Sequence, residues 1–192
     1  EMRQMMSEKQ ATGNRSGIEF KYLYYLQQFG FKETQTDFFE SNFQLNERRL
    51  PDSFMVKDGK MVIFEFDGGG GHGGVYRPIA EDVRKDTEKN ALYQKIIKDA
   101  EAGKYQPEID EVMVIRVRGN SVPALSPKGI VEISYPHCSN EELMIPEMIE
   151  TMAMQMDKQL GFNFTAQLNA KLGLHYSKNN PLSALKKELA FL

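Results

Sequence analysis

The chain has 192 residues, 41% of them hydrophobic and 27% charged, which is ordinary globular usage and excludes a wholly disordered or fibrous protein. Its formal net charge is −3, so attraction to a nucleic acid has to come from a local basic patch. A single cysteine, Cys138, excludes an internal disulfide; the apolar run 61–64 is far too short for a bilayer, and no stretch reads as a signal peptide.

Residues 1–15 are polar and methionine-rich without a stable period, and they read as a frayed lead-in. Ser16 opens a helix, because Ile18, Phe20, Tyr22, Leu23, Tyr25, Leu26 and Phe29 recur at helical spacing and Gly30 sits where a stop belongs. Ser16 and Glu19 also fit a capping box, which by itself accounts for Glu19. Residues 31–46 are aromatic but aperiodic and read as a strand and a loop. From 52 to 67 the pattern becomes that of a strand pair: Phe54-Met55-Val56 leads to Asp58-Gly59, and Met61-Val62-Ile63-Phe64 follows.

The glycine-rich run 68–74, which carries His72, ends the hairpin. A long charged helix is expected over 81–102, with Val83, Leu92, Ile96 and Ile97 facing inward, then strands at 111–118 and 130–134. Beyond Pro136 the texture changes to three helices, at 141–160, 165–172 and 181–189. The last has Asn180 as its N-cap and Pro181 at its first position. The expected organisation is therefore a lead-in of 1–15, a core of 16–138 and a C-terminal helical segment of 139–192. The methionines of that segment suit core filling or helix packing better than a cofactor site.

The hairpin permits a geometric inference. With Asp58-Gly59 as a two-residue turn, Lys57 faces Lys60, Phe54 faces Ile63, and Asp52 faces Glu65. Side chains alternate along a strand, so Asp67 shares the face of Glu65, and three carboxylates gather at one end of the sheet. Like charges placed directly opposite each other are destabilising. A hard divalent cation offsets that repulsion economically, because magnesium takes one or two carboxylates plus waters and phosphate oxygens. A splayed hairpin with its acids in water is the plainer alternative.

The glycine run lacks the Lys-Ser/Thr ending of a P-loop and the spacing of a dinucleotide fingerprint. It suits either a flexible surface loop or a close approach of backbone to a sugar-phosphate chain. His72, five residues past the acidic strand end, is in a place where a group titrating near neutrality is useful.

Taken together, Ser16-x-x-Glu19 opening a helix, Leu50-Pro51-Asp52, Glu65-Phe66-Asp67-Gly68, His72 and Asp82-x-Arg84-x-Asp86 occur in an order that resembles a known family. The chain is similar, over about 16–118, to the very-short-patch-repair-like endonucleases of the PD-(D/E)xK superfamily. The pattern is that of the phage homing-endonuclease subgroup with a Glu-Asp-x-His-Asp constellation. The lysine usual two positions after the second carboxylate is replaced here by Asp67, and in the repair-like branch histidine chemistry takes over that lysine's work. The cysteine-rich zinc site of the repair enzymes has no counterpart in this sequence.

The resemblance implies an α/β (α+β) fold with a restriction-endonuclease-like core, in which helices flank a central mixed sheet, plus a C-terminal helical appendage. It implies a magnesium-dependent hydrolase of DNA phosphodiesters, with manganese as a substitute, that leaves 5′-phosphate and 3′-hydroxyl ends. Asp52 would be the main metal ligand, with Glu65 or Asp67 and Glu19 completing the metal shell, and His72 would activate or position water, or assist the leaving oxygen. Asp82 or Asp86 would orient His72 or hold a metal-bound water. Arg84, Lys85 and Lys89 are candidates for phosphate contact, although Glu81–Lys85 and Arg84–Glu88 are also ordinary four-apart ion pairs. The expected partners are DNA and, through the C-terminal helices, a second copy or a fused domain. No membrane is expected, and the location expected is the cytoplasm of a prokaryotic or phage-infected cell. The competing expectation is a catalytically silent nuclease-fold module that binds nucleic acid or a protein.

Overall fold

The computed structural model describes residues 17–34, 36–45, 50–68, 78–105, 109–119, 122–135, 144–168 and 170. The chain divides into two compact units, one formed by Phe31–His137 and the other by Glu1–Gly30 with Cys138–Leu192. Helix α1 (Gly17–Gln27), read from the sequence as the first element of the core, belongs to the second of these.

The unit Phe31–His137 is built on a five-stranded mixed sheet, which makes the protein α+β as expected. Its strands, in chain order and in spatial order alike, are β1 (Lys32–Glu33), β2 (Ser53–Lys57), β3 (Lys60–Asp67), β4 (Glu111–Gly119) and β5 (Ile130–Tyr135). The β1–β2 and β2–β3 pairs are antiparallel, whereas β3–β4 and β4–β5 are parallel. The hairpin register is the expected one, with Lys57 opposite Lys60 and Phe54 opposite Ile63. Asp58 and Gly59 both have positive φ, 52° and 73°, the backbone that a tight turn between right-twisted strands requires.

A central strand is covered on both faces, and β3 is accordingly buried from Met61 to Asp67. One face, carrying Val62, Phe64, Phe66, Met113, Ile115 and Val117, is apolar throughout, and the Phe66 and Tyr135 rings stack on it at 6.1 Å. The other face carries Met61, Ile63 and Val114 in a hydrophobic cluster with Tyr93, Ile96 and Ala100. Those last three come from α3 (Ile79–Glu101), the crossover helix that connects the parallel strands β3 and β4.

The segment 31–46 differs from its expected strand and loop. It contains the short strand β1 and an eight-residue helix, α2 (Thr36–Phe43). Three phenylalanines explain the helix: Phe38 stacks on Phe54 at 4.9 Å, Phe39 meets Phe54 edge-on at 5.0 Å, and Phe43 meets Tyr105 at 4.6 Å. Aromatic packing fixes here what helical propensity does not signal.

In the other unit, α1 packs with α4 (Ile145–Leu160), whose buried Met148, Met152 and Met156 recur at four-residue spacing. Gly161 ends α4 in the left-handed conformation, and Asp157 then accepts hydrogen bonds from the Phe164 and Thr165 N–H groups at 2.7 and 2.9 Å. The helix expected at 165–172 begins with a 3-10 turn, Thr165–Gln167, and the one at 181–189 lies outside the described residues. Among the described residues, no helix is long and apolar enough to cross a membrane.

Candidate functional site

The face of the sheet beneath α3 changes character along its length. Apolar side chains occupy the first half of β3 and β4, and charged ones occupy the carboxyl ends: Glu65 and Asp67 on β3, Arg116 and Arg118 on β4. The parallel register sets Glu65 beside Arg116 and Asp67 beside Arg118. The carboxyl ends of parallel strands are where open α/β sheets bind their ligands.

Helix α3 is divided in the same way. Its C-terminal half buries Tyr93, Ile96 and Ala100, but its N-terminal half buries Asp82, Asp86 and Asn90 at four-residue spacing. Of the expected inner face, Ile96 is buried and Leu92 and Ile97 pack against the core, but Val83 is only partly buried and polar groups take the deepest positions of the N-terminal half. Burying charge requires opposite charge close by, and β4 supplies it.

Arg116 donates from Nε and Nη2 to the two oxygens of Asp67, each at 2.8 Å, from Nη2 to Asp86 at 3.1 Å, and from Nη1 to Asn90 Oδ1 at 2.6 Å. Arg118 donates to Asp67 at 2.8 Å and to Asp86 Oδ2 at 3.0 Å, and it also reaches the Pro123 carbonyl at 3.0 Å. Two carboxylates and two guanidiniums thus form a closed buried group, with side-chain exposures of only 1–6%. Desolvation works against the Arg116 charge, yet Asp67, Glu65 and Asp86 together hold its pKa above the ordinary value. Glu132 on β5 ties the following loop to this group: it accepts the Leu125 and Ser126 N–H groups at 3.0 and 2.8 Å and lies 3.9 Å from Arg118 Nε.

Glu65 has different partners. Lys89 on α3 places its ammonium 2.7 Å from Oε1 and 2.8 Å from Oε2, and the Tyr93 hydroxyl donates to Oε1. Asp52 lies just before β2 and accepts the Phe66 N–H through Oδ2 at 2.7 Å, which brings its carboxylate to the same corner. Burial pulls the Lys89 pKa down, but Glu65, Asp52 and Asp67 outweigh it and leave the group above its ordinary value. Burial, reinforced by Glu65 and then Asp52, raises the Tyr93 hydroxyl well above its ordinary value.

The expected residues therefore separate into two groups. Asp52 and Glu65 come together with Lys89 and Tyr93, while Asp67 and Asp86 are drawn into the arginine group. Asp82 is buried one helical turn before Asp86. Arg84 and Lys85 remain on the exposed face in pairs with Glu88 and Glu81, at 2.6 and 2.7 Å. Lys89, grouped with them in the sequence, instead turns inward. Glu19 lies in the first turn of α1, within the other unit. His72 lies outside the described residues.

Arg116, Arg118, Tyr93 and Asn90 went unread in the sequence, although a signal was present. Two arginines two apart in an otherwise apolar strand share one face, and a buried arginine needs carboxylate partners. Asp82, Asp86 and Asn90 at four-residue spacing are such a polar stripe on one side of a helix.

Among the described residues, no group of three His, Cys, Asp or Glu side chains is arranged to hold a metal ion. Both oxygens of Asp67 accept from arginines, so a three-carboxylate cage does not fit. Asp52 and Glu65 are hard oxygen donors from the entry to β2 and from β3, and magnesium is held by one or two carboxylates with waters and phosphate oxygens. They fit such an ion in chemistry, on condition that Glu65 gives up the Lys89 ammonium that now holds its oxygens. No protein-family model, curated protein sequence or solved structure matches the chain.

Proposed function

We propose that this protein is a metal-dependent DNA endonuclease that hydrolyses a phosphodiester to leave 5′-phosphate and 3′-hydroxyl ends. The observation that supports it is the convergence of Asp52, Glu65 and Lys89 at the carboxyl end of β3. Two carboxylates and an ammonium meet where a parallel sheet opens, directly before the glycine-rich segment that carries His72.

In this reading Asp52 and Glu65 hold magnesium, with manganese as a substitute. The metal, when bound, neutralises charge on the scissile phosphate and on the departing 3′-oxygen. Asp52 is oriented by the Phe66 N–H, and Glu65 by Tyr93 and Lys89. His72 takes a proton from the attacking water. Arg84 and Lys85, on the exposed face of α3, meet neighbouring phosphates. The arginine group beneath serves as a rigid floor that fixes β3 against α3. The restriction-endonuclease-like reading of the core is part of the same proposal, supported by the mixed sheet and the βαβ crossover between β3 and β4.

One observation favours a second reading, a silent module that binds nucleic acid or a protein: every oxygen of Glu65 and Asp67 already accepts a hydrogen bond from within the protein. Cleavage of supercoiled plasmid separates the two. The assay takes magnesium or manganese, an EDTA control, and Asp52→Ala and His72→Ala beside the native protein. Metal-dependent nicking that disappears in both variants is expected. A folded protein inert on supercoiled, single-stranded and branched DNA would establish the silent module instead.

A further inference from the structure

The acids of this site are neutralised by two different kinds of cation. Asp67 and Asp86 are gripped by guanidiniums, planar forks that hold two oxygens at once, whose side chains are 1–2% exposed. Glu65 is met by an ammonium, a point charge at the end of a flexible four-carbon stem. The Lys89 side chain keeps 20% exposure against 1–2% for Arg116 and Arg118, so it is the least enclosed of the three cations.

The position of that head matters as much as its mobility. It touches both oxygens of Glu65, at 2.7 and 2.8 Å, in the corner that Asp52 reaches through the Phe66 N–H. A cation ligated by Asp52 and Glu65 needs those same oxygens. Two positive charges a few ångströms apart repel strongly in a partly desolvated site.

We propose that Lys89 is the built-in counter-ion of this site: its ammonium takes the place of a divalent cation on Glu65 and swings out to solvent when a cation binds Asp52 and Glu65. The inference rests on the metal-dependent reading above and concerns how the site is occupied, not the cleavage step. The exchange is electrostatic; a dication enters, the ammonium leaves still protonated, and no covalent bond changes. Such an arrangement keeps a buried carboxylate paired when metal is scarce, which an unpartnered Glu65 would otherwise make costly. It also sets the apparent metal affinity, because every binding event must displace the lysine.

The test needs no cleavage. The native chain is acetylated briefly with an N-hydroxysuccinimide ester, with and without manganese, and the lysines are read by peptide mass spectrometry. Lys89 is expected to become about tenfold more reactive with manganese, as expected for loss of a close ion pair, while exposed Lys85 stays unchanged. In parallel, free manganese is titrated by electron paramagnetic resonance against the native protein, Lys89→Gln and Asp52→Asn. Lys89→Gln should bind about tenfold more tightly or better, and Asp52→Asn should lose binding. Manganese uptake by the native protein with Lys89 no more reactive overturns the inference and leaves the metal reading standing. No uptake by either the native protein or Lys89→Gln overturns both. The acetylation arm uses the unaltered chain and decides the matter even where Lys89→Gln does not fold.

Discussion

Arg116 stands directly across the β3–β4 ladder from Glu65, yet its guanidinium grips Asp67, two residues further along β3, with both hydrogen bonds at 2.8 Å. The diagonal choice leaves Glu65 to the helix above, to Lys89 and Tyr93. One geometric preference, a fork meeting a carboxylate side-on through Nε and Nη2, thus divides the acidic cluster into a part held by arginines and a part held by Lys89 and Tyr93.

The part held by arginines should behave as a stability element. Arg116→Met leaves Asp67 and Asp86 without half of their compensation, and breaking a buried pair on one side costs about 3–5 kcal/mol. Urea denaturation of the native protein and the variant measures it. Removing an acid as well, in Arg116→Met with Asp67→Leu, should recover at least half of that loss, because charge balance returns. A double variant no better than the single one would mean that Asp67 is not the principal partner.

Asp52 should separate function from fold. Asp52→Asn retains an oxygen that accepts the Phe66 N–H but removes the charge. Its unfolding free energy from urea denaturation should stay within about 1 kcal/mol of the native value. Nuclease activity should fall at least about 100-fold if Asp52 holds the metal. A variant that cleaves at the native rate removes Asp52 from the proposed site.

Alkaline pH should destabilise this protein through two groups with the same sign. Lys89 has its pKa raised in the folded state, so its stabilisation is complete below the unfolded value, about 10.4, and is lost as pH rises through the higher folded value. Tyr93 is raised too, so above the unfolded tyrosine value of about 10 the unfolded chain loses a proton that the folded one retains. Stability should therefore decline as pH passes 10. Tyr93→Phe should make that decline shallower, and urea midpoints at several alkaline pH values read the slope.

The exposed pairs on α3 should matter for binding and not for folding. Arg84 and Glu88 have side chains 59% and 41% exposed, and such four-apart pairs contribute about 0.3–0.5 kcal/mol at most. Arg84→Ala with Lys85→Ala should leave the urea midpoint almost unchanged. DNA affinity should fall, with a shallower dependence on salt, by about one unit of slope for each phosphate that the variant no longer neutralises. An unchanged slope would assign both residues to a solvated face.

Local chemistry made much of this fold legible. Asp58-Gly59 between alternating apolar runs determined the hairpin and its register, because a two-residue turn leaves one way to pair the strands. The run of 23 residues in α3 and the β-branched strand β4 were legible for the same reason: long elements carry their own periodicity. Helix α2 was not, since Phe38, Phe39 and Phe43 become helical by packing against Phe54 and Tyr105, residues distant in the chain.

The sequence by itself determined that acids would gather at the end of β3, because alternation along a strand puts Glu65 and Asp67 on one face. Only the tertiary structure decided what neutralises them. Parallel pairing of β3 with β4 brings Arg116 and Arg118, some fifty residues later in the chain, beneath the N-terminal half of α3. The rotation of that helix then decides which of its cations turns inward, and it selects Lys89 over Arg84 and Lys85. Strand alternation is local and can be read from the chain; the partner of a buried charge is chosen by desolvation and distance, which exist only once the elements have packed.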